Sequence, residues 1–185
     1  GSGWTAQQPS GFLQAIGLSL DADRFRLSLP AKSLDAVRAE QPSGDGPLLL
    51  MAPGGQDNDW PESHWRALPD TIRKRLPSLR SQQLTNGGKL QTRAAQVACS
   101  DVVLSSCPVT QLLAVFAGVP LVALGADATE MPQREGLRCL GDRRIGLGQL
   151  SEQDVLVFAG PGAGKTLGAL LAFRSMRQEG RLQHF

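Results

Sequence analysis

The chain has 185 residues and a formal net charge of +2, with 19 Lys+Arg against 17 Asp+Glu; this near-neutral balance does not favour a nucleic-acid partner. With 41% hydrophobic and 19% charged residues, it reads as a globular chain of about one domain, long enough to bury a core. No apolar run approaches the roughly 18 residues of a membrane span, no N-terminal pattern marks a secretion signal, and three widely spaced cysteines, Cys99, Cys107 and Cys139, argue against a disulfide framework or zinc knuckle and for a reducing cytoplasm.

Residues 1–43 are weakly patterned. They hold a short apolar helix signal at Phe12, Leu13 and Ile16, a mixed stretch at Phe25–Pro30, and a helix near Ser33–Glu40. Pro42-Ser43-Gly44-Asp45-Gly46-Pro47 reads as a linker. Organised sequence occupies 44–160. Leu48–Ala52 is a continuous apolar run stopped by Pro53-Gly54-Gly55, the signature of a buried parallel strand. Pro61-Glu62 opens a helix to about Leu76, with Trp65, Leu68, Ile72 and Leu76 on one stripe; Pro69 inside it predicts a kink. A weak strand at Leu79–Leu84, a helix at Leu90–Ala98 and a strand at Asp101–Ser106 follow. Next come a helix at Val109–Ala117 closed by Gly118, and a strand at Leu121–Gly125. This alternation predicts an α/β fold, a Rossmann-like parallel sheet flanked by helices. Ligands of such sheets bind at the carboxyl ends of strands, here the loops at 53–60, 105–109 and 125–132.

Two of these loops carry candidate chemistry. In Pro53-Gly54-Gly55-Gln56-Asp57-Asn58-Asp59-Trp60-Pro61, glycines let backbone N–H groups approach a ligand, and the following helix N-terminus suits a phosphate. An ordinary strand-to-helix turn explains the same residues. In Ser105-Ser106-Cys107-Pro108-Val109-Thr110-Gln111, Ser106 or Thr110 could bond a ligand phosphate, or simply cap the helix.

Leu48–Leu76 and Asp101–Gly125 together resemble the C-terminal domain of the heptosyltransferase-type glycosyltransferases, glycosyltransferase family 9. The shared pattern is a strand, a Pro-Gly loop, Trp-Pro and a helix, then a strand, a polar turn, an apolar helix, Gly-x-Pro and a strand. The resemblance covers about residues 12–160. It implies one half of a GT-B architecture, in which Gly54, Gly55, Asn58, Ser106 and Thr110 would hold a nucleotide-diphosphate sugar, an ADP-sugar in the first instance. It implies no resident cofactor. A saccharide or lipid acceptor would be held by an N-terminal domain outside this sequence, so the chain by itself is expected to be inactive. Two departures stand out. The family commonly has a basic residue just before Trp-Pro, where this chain has Asn58 and Asp59. Its Asp-Ser-Gly-x-x-His turn is replaced by Ser106–Gln111, without the Asp or the His. Gly87-Gly88-Lys89 is a possible replacement cation.

A second motif lies near the C-terminus. Ala159–Thr166 fits the phosphate-loop pattern with Ala for the first Gly. In that reading Val155–Phe158 is a strand, and Gly164, Lys165 and Thr166 bind ATP and Mg²⁺. The competing reading makes the segment a helix started by Ser151-x-x-Asp154, a variant capping box, with 161–185 as a tail helix. A third possibility is a non-catalytic module that dimerises. Among weaker candidates, His64 reads as a surface or capping residue and Cys99 and Cys107 as small buried groups. Arg134, Arg138, Arg143 and Arg144 read as a loose basic set, and Trp60 and Trp65 as packing residues rather than adenine-stacking ones.

Overall fold

The computed structural model describes residues 19–21, 26–132 and 136–157. The Phe12–Ile16 helix signal, Arg134, Gly164, Lys165, Thr166 and the 161–185 tail lie outside these residues. In chain order the elements are β1 (Ser19–Asp21), β2 (Arg26–Ser28), α1 (Ala31–Glu40), β3 (Leu48–Ala52), α2 (Glu62–Arg73) and β4 (Arg80–Gln83). They continue with α3 (Leu90–Ala98), β5 (Val102–Ser105), α4 (Pro108–Ala117), β6 (Leu121–Leu124), β7 (Leu137–Leu140) and α5 (Glu152–Val157). β1 and β2 form an antiparallel pair. The other five strands form one sheet in the order β4-β3-β5-β6-β7, every pairing parallel.

The predicted α/β sheet is therefore present. β3, β5 and β6 are buried at every residue, as expected of strands covered on both faces. Side chains alternate between faces. Leu49, Met51, Val102, Leu104, Val122 and Leu124 pack with Trp65, Leu68 and Ile72 of α2 and Val155 of α5. Leu50, Ala52, Val103, Leu121 and Ala123 pack on the opposite face with Ala94 and Val97 of α3 and Leu113 and Phe116 of α4. α1 packs on α3, and the Gln41 side-chain amide donates to the Cys99 carbonyl at 2.9 Å. No helix of the described residues is long and apolar enough to cross a membrane.

Several local expectations are met for identifiable reasons. Gly118 takes the left-handed conformation at φ 70° after α4. The Gly118 N–H bonds the Val115 carbonyl and the Val119 N–H bonds that of Ala114, both at 3.2 Å, a Schellman closure. The 42–47 linker is packed against the sheet rather than free. Arg80 donates from Nε to the Gly46 carbonyl at 2.7 Å and from Nη1 to that of Pro42 at 2.9 Å. A Cβ on Gly46 would lie 1.7 Å from the Ser78 carbonyl oxygen, so only glycine fits this approach.

The differences are equally specific. β7 was not predicted: Leu-Arg-Cys-Leu is a half-buried edge strand without the apolar run that marks β3. α2 ends at Arg73, three residues before the expected Leu76, and runs through Pro69, whose ring is buried in the helix's apolar stripe. Residues 152–157 are helix, not strand. The deciding bonds are those of the capping box: the Ser151 N–H donates to Asp154 Oδ2 at 2.7 Å, and the Asp154 N–H to Ser151 Oγ at 3.1 Å. The strand required upstream of a phosphate loop is thus replaced by a capped helix. Cys99 and Cys107, expected to be buried, are half-buried free thiols, as is Cys139. Desolvation, their largest influence, pushes the Cys99 and Cys139 thiols upward, away from reactive thiolates.

Candidate functional site

In a parallel sheet, the strand order reverses where one crossover runs left and the next runs right. Here that happens at β3, which has β4 on one side and β5 on the other. The crevice outside the carboxyl ends of β3 and β5 is the place such folds bind ligands. It is formed by the loop after Ala52 and the turn after Ser105.

The two segments are bonded to each other. The Gly54 N–H donates to Ser106 Oγ at 2.8 Å. Ser105 Oγ accepts from the Cys107 N–H at 2.9 Å and donates to the Ala52 carbonyl at 2.8 Å. Gln111 is buried, and its amide donates to the Ser105 carbonyl at 2.7 Å and to the Leu124 carbonyl at 3.1 Å. One side chain thus ties together the carboxyl ends of β5 and β6.

Asp59 dominates the 53–61 loop. Its Oδ2 accepts from the Gly54 N–H at 3.1 Å and the Gly55 N–H at 3.0 Å, and its Oδ1 accepts from the Trp60 N–H at 2.7 Å. These are the donors that the sequence offered to a phosphate. Gly55 sits at φ +76°, and a Cβ there would meet Asn86 Nδ2, so this loop touches the one after β4.

The other predicted site residues divide. Asn58 docks its loop onto the segment after β7: its side-chain amide donates to the Arg143 carbonyl, and its own carbonyl accepts from the Leu147 N–H at 2.9 Å. Thr110 is fully buried, and its hydroxyl accepts from Arg93 Nη1 at 3.0 Å. Neither serine nor threonine caps α4; the N-cap is Cys107, with no side-chain capping bond. Gly54, Gly55 and Ser106 are therefore together at the crevice, while Asn58 bonds the segment after β7 and Thr110 is buried against Arg93.

Sequence reasoning underused two cations. Arg143, placed in a loose basic set, donates from Nη2 to the Ser106 carbonyl at 3.0 Å. It lines both a cleft of about 460 Å³ with Gly125, Asp127 and Gly141, and an adjoining one of about 360 Å³ with Pro108, Gln111 and Met131. Nearby, Asp142 is held below its usual range chiefly by hydrogen bonds from Arg144, and Asp127 by those from Thr129. Both acids are therefore committed to local turns. Arg93 is buried in α3; the signal available was an arginine on the same helical stripe as Leu90, Ala94 and Val97.

Trp60 is 2% exposed and cannot offer a face to an adenine. Its indole N–H donates to the Leu150 carbonyl at 2.8 Å, and its ring stacks on His64 with centroids 5.2 Å apart. His64 Nδ1 lies 2.8 Å from Glu152 Oε1, joining α2 to α5. The hydrogen bond from His64 is the main cause holding Glu152 below the ordinary glutamate range. A carboxylate lowered on folding stabilises the fold above its unfolded value and loses that contribution as pH falls through the folded value. Acidification below about pH 4.3 should therefore weaken the α2–α5 junction. Glu152→Gln should flatten this acid limb by up to about 1 kcal/mol, the ceiling for a partly exposed pair. Urea titrations of both proteins across the acid range check it; parallel curves would count against the junction.

No family profile and no curated protein sequence matches the chain. Solved structures do. An E. coli ADP-heptose LPS heptosyltransferase II matches with a TM-score of 0.55 and 15% identity, over 84% of this chain and 54% of that one. A family 9 glycosyl transferase from Veillonella parvula DSM 2008 matches with a TM-score of 0.50 and 12% identity, over 83% of this chain and 53% of that one. The chain has the fold of the family 9 glycosyltransferases. It spans about half the length of the structures it matches. Against the family 9 pattern of the resemblance, Gln111 stands where the histidine is usual and bridges two strand carbonyls instead. Asn58 and Asp59 stand where a basic residue is usual, and Asp59 takes up the loop's own N–H groups.

Proposed function

We propose that this chain is the nucleotide-sugar-binding domain of a heptosyltransferase-like glycosyltransferase. The observation that carries the reading is the meeting of Gly54, Gly55 and Ser106 at the strand-order reversal of a family 9 fold. The diphosphate would lie along the 53–61 loop and the N-terminus of α2, with Arg143 available to its charge across the crevice. An ADP-sugar is the first donor to test, because the E. coli neighbour is named for ADP-heptose. A second domain would bring a saccharide or lipid acceptor to the donor, so the chain alone would bind without turnover. The alternative of an ATP-binding phosphate loop at 159–166 is disfavoured by the capped helix at Glu152–Val157.

Calorimetric titration with ADP and ATP, with and without Mg²⁺, tests this. ADP binding that needs no Mg²⁺ and is indifferent to Lys165→Ala is the expected result. Absence of ADP binding would overturn it. Mg²⁺-dependent ATP binding lost in Lys165→Ala would move the function to the tail. Asp59, bonded to the loop's own amides, favours one further reading: a module of this fold that no longer takes a diphosphate at 53–61. Competition between ADP and pyrophosphate separates the two, since a degenerate module binds neither.

A further inference from the structure

Beside the turn between β4 and α3, the guanidinium of Arg93 has no counter-ion among the described residues. Arg93 is 8% exposed, and among the described residues its guanidinium donates to neutral oxygens. These are Thr110 Oγ1 at 3.0 Å, the Gly87 carbonyl at 3.3 Å and the Thr85 carbonyl. No carboxylate of the described residues pairs with it. An arginine stays ionised in a protein, and a buried charge without a counter-ion is costly.

Arg93 lines a cleft of about 200 Å³ together with Lys89, Thr85, Asn86 and Thr92. Among the described residues no Asp or Glu lines it, and Lys89 is exposed and makes no ion pair. Gly87 and Gly88 sit at φ +99° and +82°, with nothing within 4 Å of a Cβ. Their N–H groups donate to no oxygen of the described residues. Two cations, two free amides and open space therefore converge, next to the positive end of α3.

The location is informative. β4 neighbours β3 on the far side from β5, and Asn86 reaches Gly55 of the crevice loop. In nucleotide-binding sheets, an acidic residue in this region takes ribose hydroxyls, whereas an arginine accommodates a phosphate on the ribose. We infer that the β4–α3 cleft is a phosphate-binding site, recognising a phosphomonoester dianion through Lys89, Arg93 and the Gly87-Gly88 amides. Charge-assisted bonds of this kind are the strong ones, and they supply Arg93 with a counter-charge. The inference rests on the proposed nucleotide site only for the identity of a larger ligand; inorganic phosphate is a sufficient probe.

The experiment is an amide-shift titration of the full chain with inorganic phosphate, in the parent protein and in Lys89→Gln and Lys89→Arg. Saturable shifts at Gly87 and Gly88 are expected. Lys89→Gln should weaken binding about tenfold, the size of one charged contact, with an unchanged melting temperature, and Lys89→Arg should restore most of it. Shifts confined to 53–61, no saturable shift, or equal affinity in Lys89→Gln would each overturn the site. A second arm compares adenosine 2′,5′-bisphosphate with AMP. A tighter bisphosphate that loses its advantage in Lys89→Gln assigns the phosphate to the nucleotide; no advantage, with phosphate still bound, assigns it to free phosphate. ADP binding untouched by Lys89→Gln, with no phosphate effect, would sink this inference and leave the proposed donor site standing.

Discussion

Trp65→Ala should destabilise the chain by about 3–5 kcal/mol, the range for emptying a large aromatic site in a packed core. Trp65 is fully buried between α2 and the sheet face built by Leu49, Met51, Val102 and Leu104. It also holds the 53–61 loop in place. Its indole N–H donates to the Trp60 carbonyl at 3.0 Å, and the two rings meet edge to face at 5.1 Å. Trp60 in turn gives its backbone N–H to Asp59 and its indole N–H to Leu150. A single truncation therefore opens a cavity and loosens the register between the 53–61 loop and the segment leading into α5. Domains of this size are stable by only about 5–15 kcal/mol, so the loss is a large share. Urea denaturation checks it, and Trp65→Phe should recover part of the packing but not the hydrogen bond. A loss under about 1 kcal/mol would contradict the packing of α2 on the sheet.

What could be read beforehand follows from how burial writes itself into sequence. β3, β5 and β6 are covered on both faces, so each is an uninterrupted apolar run, and their order with the intervening helices fixes a parallel sheet. β7 is covered less well and its Leu-Arg-Cys-Leu carries no such run. In 152–157, Val-Leu-Val suits a strand by composition, but the Ser151–Asp154 pair supplies reciprocal caps and makes the segment a helix. The site was legible as a place more than as a set of contacts. Glycines after a strand marked the crevice, and Gly54 and Ser106 do meet there. The direction of a side chain, however, is not written in its spacing. Thr110 could face a ligand or the interior, and Arg93 on the preceding helix draws it inward. The sequence showed Asp59 as a negative charge in a candidate phosphate loop, without showing that its carboxylate folds back onto Gly54 and Gly55.

That fold-back sets the second large effect. Asp59→Ala should tighten pyrophosphate binding at the 53–61 loop by about 10–100-fold. Two terms act in the same direction. The carboxylate occupies the N–H groups of Gly54, Gly55 and Trp60 at 2.7–3.1 Å, so an incoming phosphate must displace it. It also repels the phosphate, since two unit charges about 4 Å apart interact by roughly 4 kcal/mol at the effective dielectric near a protein surface. Salt and exposure reduce that figure, and a residual gain of about 1.4–2.7 kcal/mol corresponds to the stated range. Asp59→Asn separates the terms: it removes the charge and keeps one acceptor oxygen, so its gain should fall between the parent and Asp59→Ala. The alanine variant frees the N–H groups of Gly55 and Trp60, while that of Gly54 keeps its bond to Ser106 Oγ; water satisfies the exposed Gly55 donor at small cost, and the melting temperature, recorded alongside, reports any loss of loop order. Pyrophosphate affinities within about twofold across all three proteins, against the expected charge effect, would mean that no anion enters this loop. A diphosphate would then have to be held from the Arg143 side of the crevice, where that guanidinium already bonds the carbonyl of Ser106.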